Sequence, residues 1–379
     1  PQGLKVISKK NLVILSWEPL ASQDLVGINI YRKSQREVDF RKLFFAPPSA
    51  TQYEDRAVVY DTTYYYQISG VSATFETPRS DPVSITPGPT YNWVADTDNG
   101  QIVKLTHDGL HEIFRVSIDG YPTALSVDVR TGTAWVIEGM MDRIYQLSQD
   151  GTFLRFLTGF KEPVDVAIDE RTSSLWVADK SAQRVVKLDS SGSELFAIAG
   201  LKTPISLSLD KRTGDCWVAD LSQKSLTKIS SSGTFTMTVP YPLLSPQSLS
   251  VDSKDGSCWV ADSSQVLKFT SGGQLLVGPI LGFNFAYRIQ ANSATGECWV
   301  LDIGNWYNQS KVIRLSSQGQ ILLNKKGFSF PQALSVSLYD GSCLVADTYN
   351  DRVVKISLTG NVISELGGFS LPSDVAVEY

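Results

Sequence analysis

A short word recurs seven times along the chain, and this recurrence constrains the fold more than any other feature. The word is Trp-Val-Ala-Asp with small variations, at Trp93 to Asp96, Trp135 to Glu138, Trp176 to Asp179, Trp217 to Asp220, Trp259 to Asp262, Trp299 to Asp302 and Leu344 to Asp347, spaced by 40 to 45 residues. Self-similarity at about that period marks the blade of a β-propeller. Each word sits in a longer unit. An alternating segment precedes it, such as Ser206 to Asp210 or Ser248 to Asp252, and a turn such as Asp255-Gly256-Ser257 joins the two. A polar loop and a second alternating run follow, such as Val185-Val186-Lys187-Leu188. That run ends on Gly109, Gly151, Gly192, Gly233, Gly273, Gly319 or Gly360, and a last apolar run such as Leu195 to Ala199 closes the unit. Short period-two segments between Gly, Asp and Ser turns are strands in hairpins. Each unit therefore predicts a four-stranded antiparallel blade.

The register of the repeat predicts how the ends meet. Trp93 has no inner strand before it, whereas Ser373-Asp374-Val375-Ala376-Val377 is an inner strand with no word after it. Strands and words balance if the C-terminal segment pairs with the first blade, which removes exposed sheet edges. The expectation is seven blades, ending at or near Tyr379.

Residues 1–88 carry no such word, and Pro87-Gly88-Pro89 punctuates the chain before the repeats begin. The runs Leu4 to Ile7, Leu12 to Trp17, Gly27 to Arg32, Lys42 to Phe45, Tyr64 to Val71 and Val83 to Ile85 read as strands, with no helical pattern. A segment of this size with several strands predicts a sandwich. The landmarks Leu15-Ser16-Trp17-Glu18-Pro19, Gly27 to Arg32 and Thr62-Thr63-Tyr64-Tyr65-Tyr66 resemble those of a fibronectin type III domain. That resemblance implies that Tyr64 is the family's corner tyrosine, with its hydroxyl tied back to the backbone. The repeats resemble the NHL type, best at Pro331 to Leu338, Leu344 to Asp347 and Tyr349 to Ile356, with Trp opening six of the words as a departure. The expected chain is all-β: an immunoglobulin-like sandwich over 1–88, then a seven-bladed propeller over 89–379.

The chain has 379 residues, 42% of them hydrophobic and 19% charged, which suffices for two cores. No apolar run approaches the eighteen or so residues of a membrane-spanning helix. A formal charge of −5 with scattered lysines and arginines argues against nucleic acid as a partner. The four cysteines, Cys216, Cys258, Cys298 and Cys343, share one position, immediately before the word. Equivalent positions in neighbouring blades lie about 10 Å apart by strand spacing, beyond the roughly 7 Å that a disulfide spans. They read as free thiols packed between blades, not as metal ligands. The architecture resembles exported bacterial proteins, which places the chain in the periplasm or at the cell surface.

The residues of familiar chemistry are few. His107 and His111 flank the Asp108-Gly109 hairpin and read as a solvated turn. Lyases built on similar blades depend on histidines near the central face, which this repeat does not supply. No nucleophile elbow, phosphate loop or His-Glu-x-x-His is present. The acids ending the words form a ring of carboxylates, and each reads as the anchor of its own following loop. The basic series Lys104, Lys187, Lys228, Lys268, Arg314 and Lys355 reads the same way.

Function is then expected where the repeats differ. The sixth unit inserts a loop containing Asn305, Trp306 and Tyr307, the second has Met140 and Met141, and the seventh has Tyr349. Phe160, Tyr241 and Phe285 lie in the connections between units. Exposed aromatic and methionine side chains are enriched at interaction surfaces, so these residues predict a surface for a protein or glycan partner. The expected role is a non-enzymatic binding or scaffold module without a cofactor, the sandwich acting as spacer or docking unit. The alternatives are a metal-assisted lyase or hydrolase at the channel mouth, and a subunit of an extracellular surface assembly.

Overall fold

A computed structural model describes residues 3–20, 24–304 and 309–378. The chain packs as two compact units, one made of 1–91 with 104–113, the other of 92–103 with 114–379. Strands dominate both.

In the first unit one sheet carries Lys5–Lys9, Leu12–Ser16 and Gln52–Asp55, and a second carries Arg41–Ala46, Leu25–Ser34, Tyr64–Ser72 and Val83–Ile85 in that order. Alternation explains the core between them. Val13, Leu15 and Trp17 on one side meet Ile28, Ile30, Tyr66 and Ile68 on the other, and Ile14 and Ser16 between them are less buried. The Trp17 indole N–H donates to Ala50 O, and the Tyr64 hydroxyl accepts the backbone N–H of Val59 at 3.0 Å. The strand Gln52–Asp55 lies outside the sequence expectation, because it holds one partly buried ring, Tyr53, and no apolar alternation.

In the second unit the words lie on successive buried strands: Tyr91–Asp96, Thr133–Glu138, Ser174–Asp179, Cys216–Asp220, the start of Cys258–Phe269, Glu297–Asp302 and Cys343–Asp347. Four-stranded antiparallel sheets recur in chain order, for example Pro163–Asp169, Ser174–Asp179, Arg184–Leu188 and Glu194–Ile198. Two repeats are continuous in one six-stranded sheet. Only Ser263 and Ser264 separate the word at Asp262 from its next strand, and Leu275–Asn292 runs unbroken into the following repeat. The C-terminal strand Pro372–Glu378 lies beside Tyr91–Asp96 in the sheet that also holds Gln101–Leu105 and Glu112–Ser117. The Glu378 carboxylate accepts the Trp93 indole N–H, and Asp96 accepts the Ser370 backbone N–H.

The word is explained by packing between neighbouring sheets. Trp176 shares a core with Cys216, Trp217 with Cys258, Trp259 with Cys298 and Trp299 with Cys343, so the wide indole of one repeat lies over the narrow residue before the next word. All four thiols are free and fully buried. Across each sheet the tryptophan pairs with a cation: Lys187 Nζ lies 4.9 Å from the Trp176 ring, and Lys268 Nζ lies 4.9 Å from that of Trp259. The same ammonium groups meet Asp169 and Asp252, which compensates the charge of a nearly buried lysine. The glycines closing the third strand all take φ between +75° and +91°, a region open to residues without Cβ.

Candidate functional site

The carboxylates that end the words are fully buried. Asp179 Oδ1 accepts the N–H groups of Lys161 and Glu162 while Oδ2 takes the Arg184 Nε–H. Asp220 accepts Lys202, Thr203 and Gln223 N–H, and Asp262 accepts Leu244 and Ser245. These anchors differ from the expected pattern in one respect. Most of their backbone bonds run to the connection that precedes the inner strand, and fewer to the loop that follows the word. Among the described residues no group of three or more His, Cys, Asp and Glu is arranged to hold a metal ion.

The histidine turn corrects the sequence reading. The segment 104–113 folds into the first compact unit, and His107 is buried, hydrogen-bonded to Thr90 through Nδ1 and 3.5 Å from Asp61. His111 Nε2–H donates to Ser84 O, and Asp108 accepts the Thr86 N–H. The turn is therefore an ordered packing element and not a solvated one.

The expected contact residues fall into distinct environments. Glu138, longer than the Asp of other repeats, accepts three backbone N–H groups, from Tyr121, Met140 and Met141. All three of these residues have exposed side chains, with Met140 68% accessible. Gly120 must be glycine here: it has φ +121°, and an added Cβ would lie 2.2 Å from the Glu138 carboxylate. Tyr349 is exposed and sits 5.1 Å from the Phe330 ring. Phe160 is partly buried in an intersheet core, Tyr241 packs edge-on to Phe269 at 5.6 Å, and Phe285 stacks on Tyr287 at 6.1 Å. Asn305, Trp306 and Tyr307 lie outside the described residues.

A second site was not anticipated from sequence. The inner strands Pro122–Asp128, Pro163–Asp169, Pro204–Leu209, Pro246–Val251, the end of Leu275–Asn292, Ala333–Val336 and Pro372–Glu378 each pack against the next. The last packs against the first, and together they line one cavity of about 360 Å³. Alternate side chains, Leu125, Val166, Leu207, Leu249, Ile289 and Leu334, point away into the intersheet cores. The intervening ones line the cavity.

At one level of that lining stand Ala124, Asp165, Ser206, Ser248, Arg288, Ala333 and Asp374. Six of them share a register opposite the third residue of their words: Ala124 on Ile137, Asp165 on Ala178, Ser206 on Ala219, Ser248 on Ala261, Arg288 on Leu301, Ala333 on Ala346. In five of these strands a β-bulge immediately precedes the residue, and a bulge re-aims the side chain after it.

Side chains of one inner strand accept N–H groups of the next: Leu207 to Asp165, Leu249 to Ser206, Ile289 to Ser248, Val336 to Gln290, Val377 to Ser335 and Leu125 to Asp374. The two carboxyls are half-buried and line the cavity. Burial pushes Asp165 up to about 6 and Asp374 up to about 7, against the lowering effect of their backbone donors and of Arg288. The charge of Asp165 raises Asp374 further. The signal was present in sequence as three charged residues at one repeat position that elsewhere holds Ala or Ser.

No family model and no curated protein matches the chain. Solved structures do. A functionally unknown protein from Desulfotomaculum acetoxidans aligns at TM-score 0.65 and 10% identity over 76% of this chain and 99% of its own. A putative 6-phosphogluconolactonase from Bacteroides uniformis aligns at 0.63 and 12%, over 76% and 99%. A streptogramin B lyase aligns at 0.57 and 19%, over 67% and 86%. At these identities the likeness concerns fold: the chain has an all-β architecture of the propeller type.

Proposed function

We propose that the repeats form a seven-bladed, NHL-like propeller preceded by a fibronectin type III-like sandwich, and that the protein is a non-enzymatic binding and scaffold module. The three-plus-four strand sheets and the Tyr64 hydroxyl on Val59 N–H support the sandwich. The C-terminal strand beside the first word supports the closed propeller.

The observation that carries the functional reading is the Glu138 clamp. One buried carboxylate fixes the backbone of Tyr121, Met140 and Met141 and leaves their large side chains in solvent. A folded chain gains nothing from holding apolar groups outward, whereas a contact surface gains from having them ordered beforehand. Methionine adapts to varied apolar shapes, which suits a protein partner better than a glycan. The module works in this reading outside the cytoplasm, in the periplasm or at the cell surface, where burial shields its thiols from oxidation.

The test is photo-crosslinking from a benzoylphenylalanine placed at Met141 in producing cells. A discrete adduct that disappears when Tyr121 and Met140 are changed to Ser supports the surface. A ladder of unspecific adducts that is indifferent to those changes refutes it.

A second reading, a subunit of a surface assembly, draws support from the outermost strands. Several of these edges begin with exposed apolar residues, as at Phe153 and Leu154, Ile321 and Leu322, and Val362 and Ile363, and such edges can pair with other chains. Concentration-dependent sedimentation distinguishes this reading: a monomer at all concentrations removes it.

A further inference from the structure

We infer that the cavity enclosed by the inner strands is a binding site for a small zwitterion of the amino-acid type, its ammonium held by Asp165 and Asp374 and its carboxylate by Arg288. The site is separate from the Glu138 surface and does not depend on it.

The hydrogen-bonded belt explains why these strands need an acceptor at this level, but not why two of the acceptors carry charge. Ser206 and Ser248 occupy the same register and accept the same kind of bond, from Leu249 and Ile289. A hydroxyl therefore satisfies the bond to the next strand, whereas the carboxylates of Asp165 and Asp374 also take the N–H of their own following residue, at a desolvation cost that a neutral acceptor does not carry. Asp165 accepts the Val166 and Leu207 N–H groups and the Ser206 hydroxyl, and Asp374 accepts the Val375 and Leu125 N–H groups. Each carboxylate oxygen accepts two hydrogen bonds, so each carboxylate keeps a lone pair for the cavity.

The order of the strands makes the lining bipolar. Asp374, Ala124 and Asp165 are consecutive around the ring, and the small alanine between the acids leaves room beside both. Arg288 comes from the opposite arc, between Ser248 and Ala333. The Tyr287 ring lies 4.6 Å from its guanidinium carbon, and the planar fork of an arginine in this position suits a carboxylate. Two ionised acids and one guanidinium carry one net negative charge, so a ligand whose ammonium meets the acids relieves their mutual repulsion. Ser208, Ser250 and Ser335 accept belt N–H groups one layer away and retain hydroxyl protons to donate. The volume, about 360 Å³, admits a small solute.

The experiment is calorimetric titration of the full chain with each of the standard L-amino acids, with ethylamine and acetate as half-probes and with Ca²⁺ alone. One or more amino acids should saturate a single site more tightly than either half-probe. Asp165→Asn with Asp374→Asn, and separately Arg288→Gln, should each weaken it about tenfold or more, since each removes a charge-assisted contact. Asn keeps an acceptor for the belt, and Arg288 makes no belt bond, so one of the two variants reports even if the other fails to fold. Absence of saturation by every amino acid overturns the inference. So does binding unchanged in both variants, or saturation by Ca²⁺ alone that excludes the amino acid.

Discussion

Replacing Asp374 with Asn should reverse the stability order of the two proteins as pH rises. In the wild type this carboxyl is half-buried among strand backbones, and its ionisation is raised from 3.8 to about 7 by burial, helped by the charge of Asp165 and opposed by Arg288. A carboxyl whose folded-state value is raised binds its proton more tightly when folded. Its contribution is therefore complete below the unfolded value and is lost as pH climbs through about 7. Between about pH 5 and pH 7 the loss is roughly 1.4 kcal/mol per unit, or about 3 kcal/mol in all. Asn cannot ionise and keeps an oxygen for the Leu125 N–H, at about 1 kcal/mol for the imperfect second bond. At about pH 5 the variant should be equal or slightly less stable. At about pH 8.5 it should have gained about 3 kcal/mol relative to wild type, roughly 6 °C in Tm for a unit of this size. Thermal unfolding followed by fluorescence of the buried tryptophans measures this, because Trp93 to Trp299 all belong to the repeats. A difference in Tm that stays constant within about 1 °C over that pH range would refute the placement of an ionisable carboxyl in a poorly solvated cavity.

Three further outcomes test other parts of the structure. Asp179→Ala strands the N–H groups of Lys161 and Glu162 and the Arg184 guanidinium, which should cost about 3 to 5 kcal/mol in urea unfolding; a cost below 1 kcal/mol contradicts the anchor. All four thiols are buried and burial pushes their ionisation upward, so a chromogenic disulfide reagent should label none in the native protein and all four in denaturant; rapid native labelling of any one excludes its place between sheets. Tyr64→Phe removes the acceptor of the Val59 N–H and should lower the stability of the first unit by about 1 to 2 kcal/mol, with the transition of the repeats unchanged; an unaltered first unit means that the tie is dispensable.

Where period and punctuation agree, sequence was sufficient. The words, the inner strands and the glycine hairpins are visible because each needs a specific residue at a specific spacing, and the thiols because four of them share one register beside an indole. Other features were hidden for identifiable reasons. Gln52–Asp55 pairs at a sheet edge, and its inward positions are Tyr53 and the buried Asp55, so no apolar alternation marks it. His107 looked solvated because Asp108-Gly109 is a turn, and a turn's burial depends on what packs over it; here Thr90 and Asp61 do. The word carboxylates were read as anchors of the following loop, which holds for Glu138 and Asp220 only in part. Most of their backbone donors lie 17 or 18 residues upstream, at Lys161 and Glu162 for Asp179, a distance that only strand pairing closes.

The cavity shows why a repeat can conceal a site that it also reveals. Viewed one strand at a time, Asp165, Arg288 and Asp374 are ordinary polar residues on the open face of an alternating segment. Superposed on the common register they are three departures from a position that Ala124, Ser206, Ser248 and Ala333 fill without charge. Packing needs are common to every repeat, so a requirement of packing should appear in each; a charge that appears in three has another cause. The predicted stabilisation by Asp374→Asn at high pH gives that reasoning a physical form, because a residue that lowers stability where a neutral one would serve is kept for what it binds. If the double Asn variant is both more stable above pH 7 and unable to take up an amino acid, the cost and the function reside in the same carboxylates. If it is more stable and binds as before, the charges are a burden on the fold alone, and the cavity is only the axis around which the sheets are arranged.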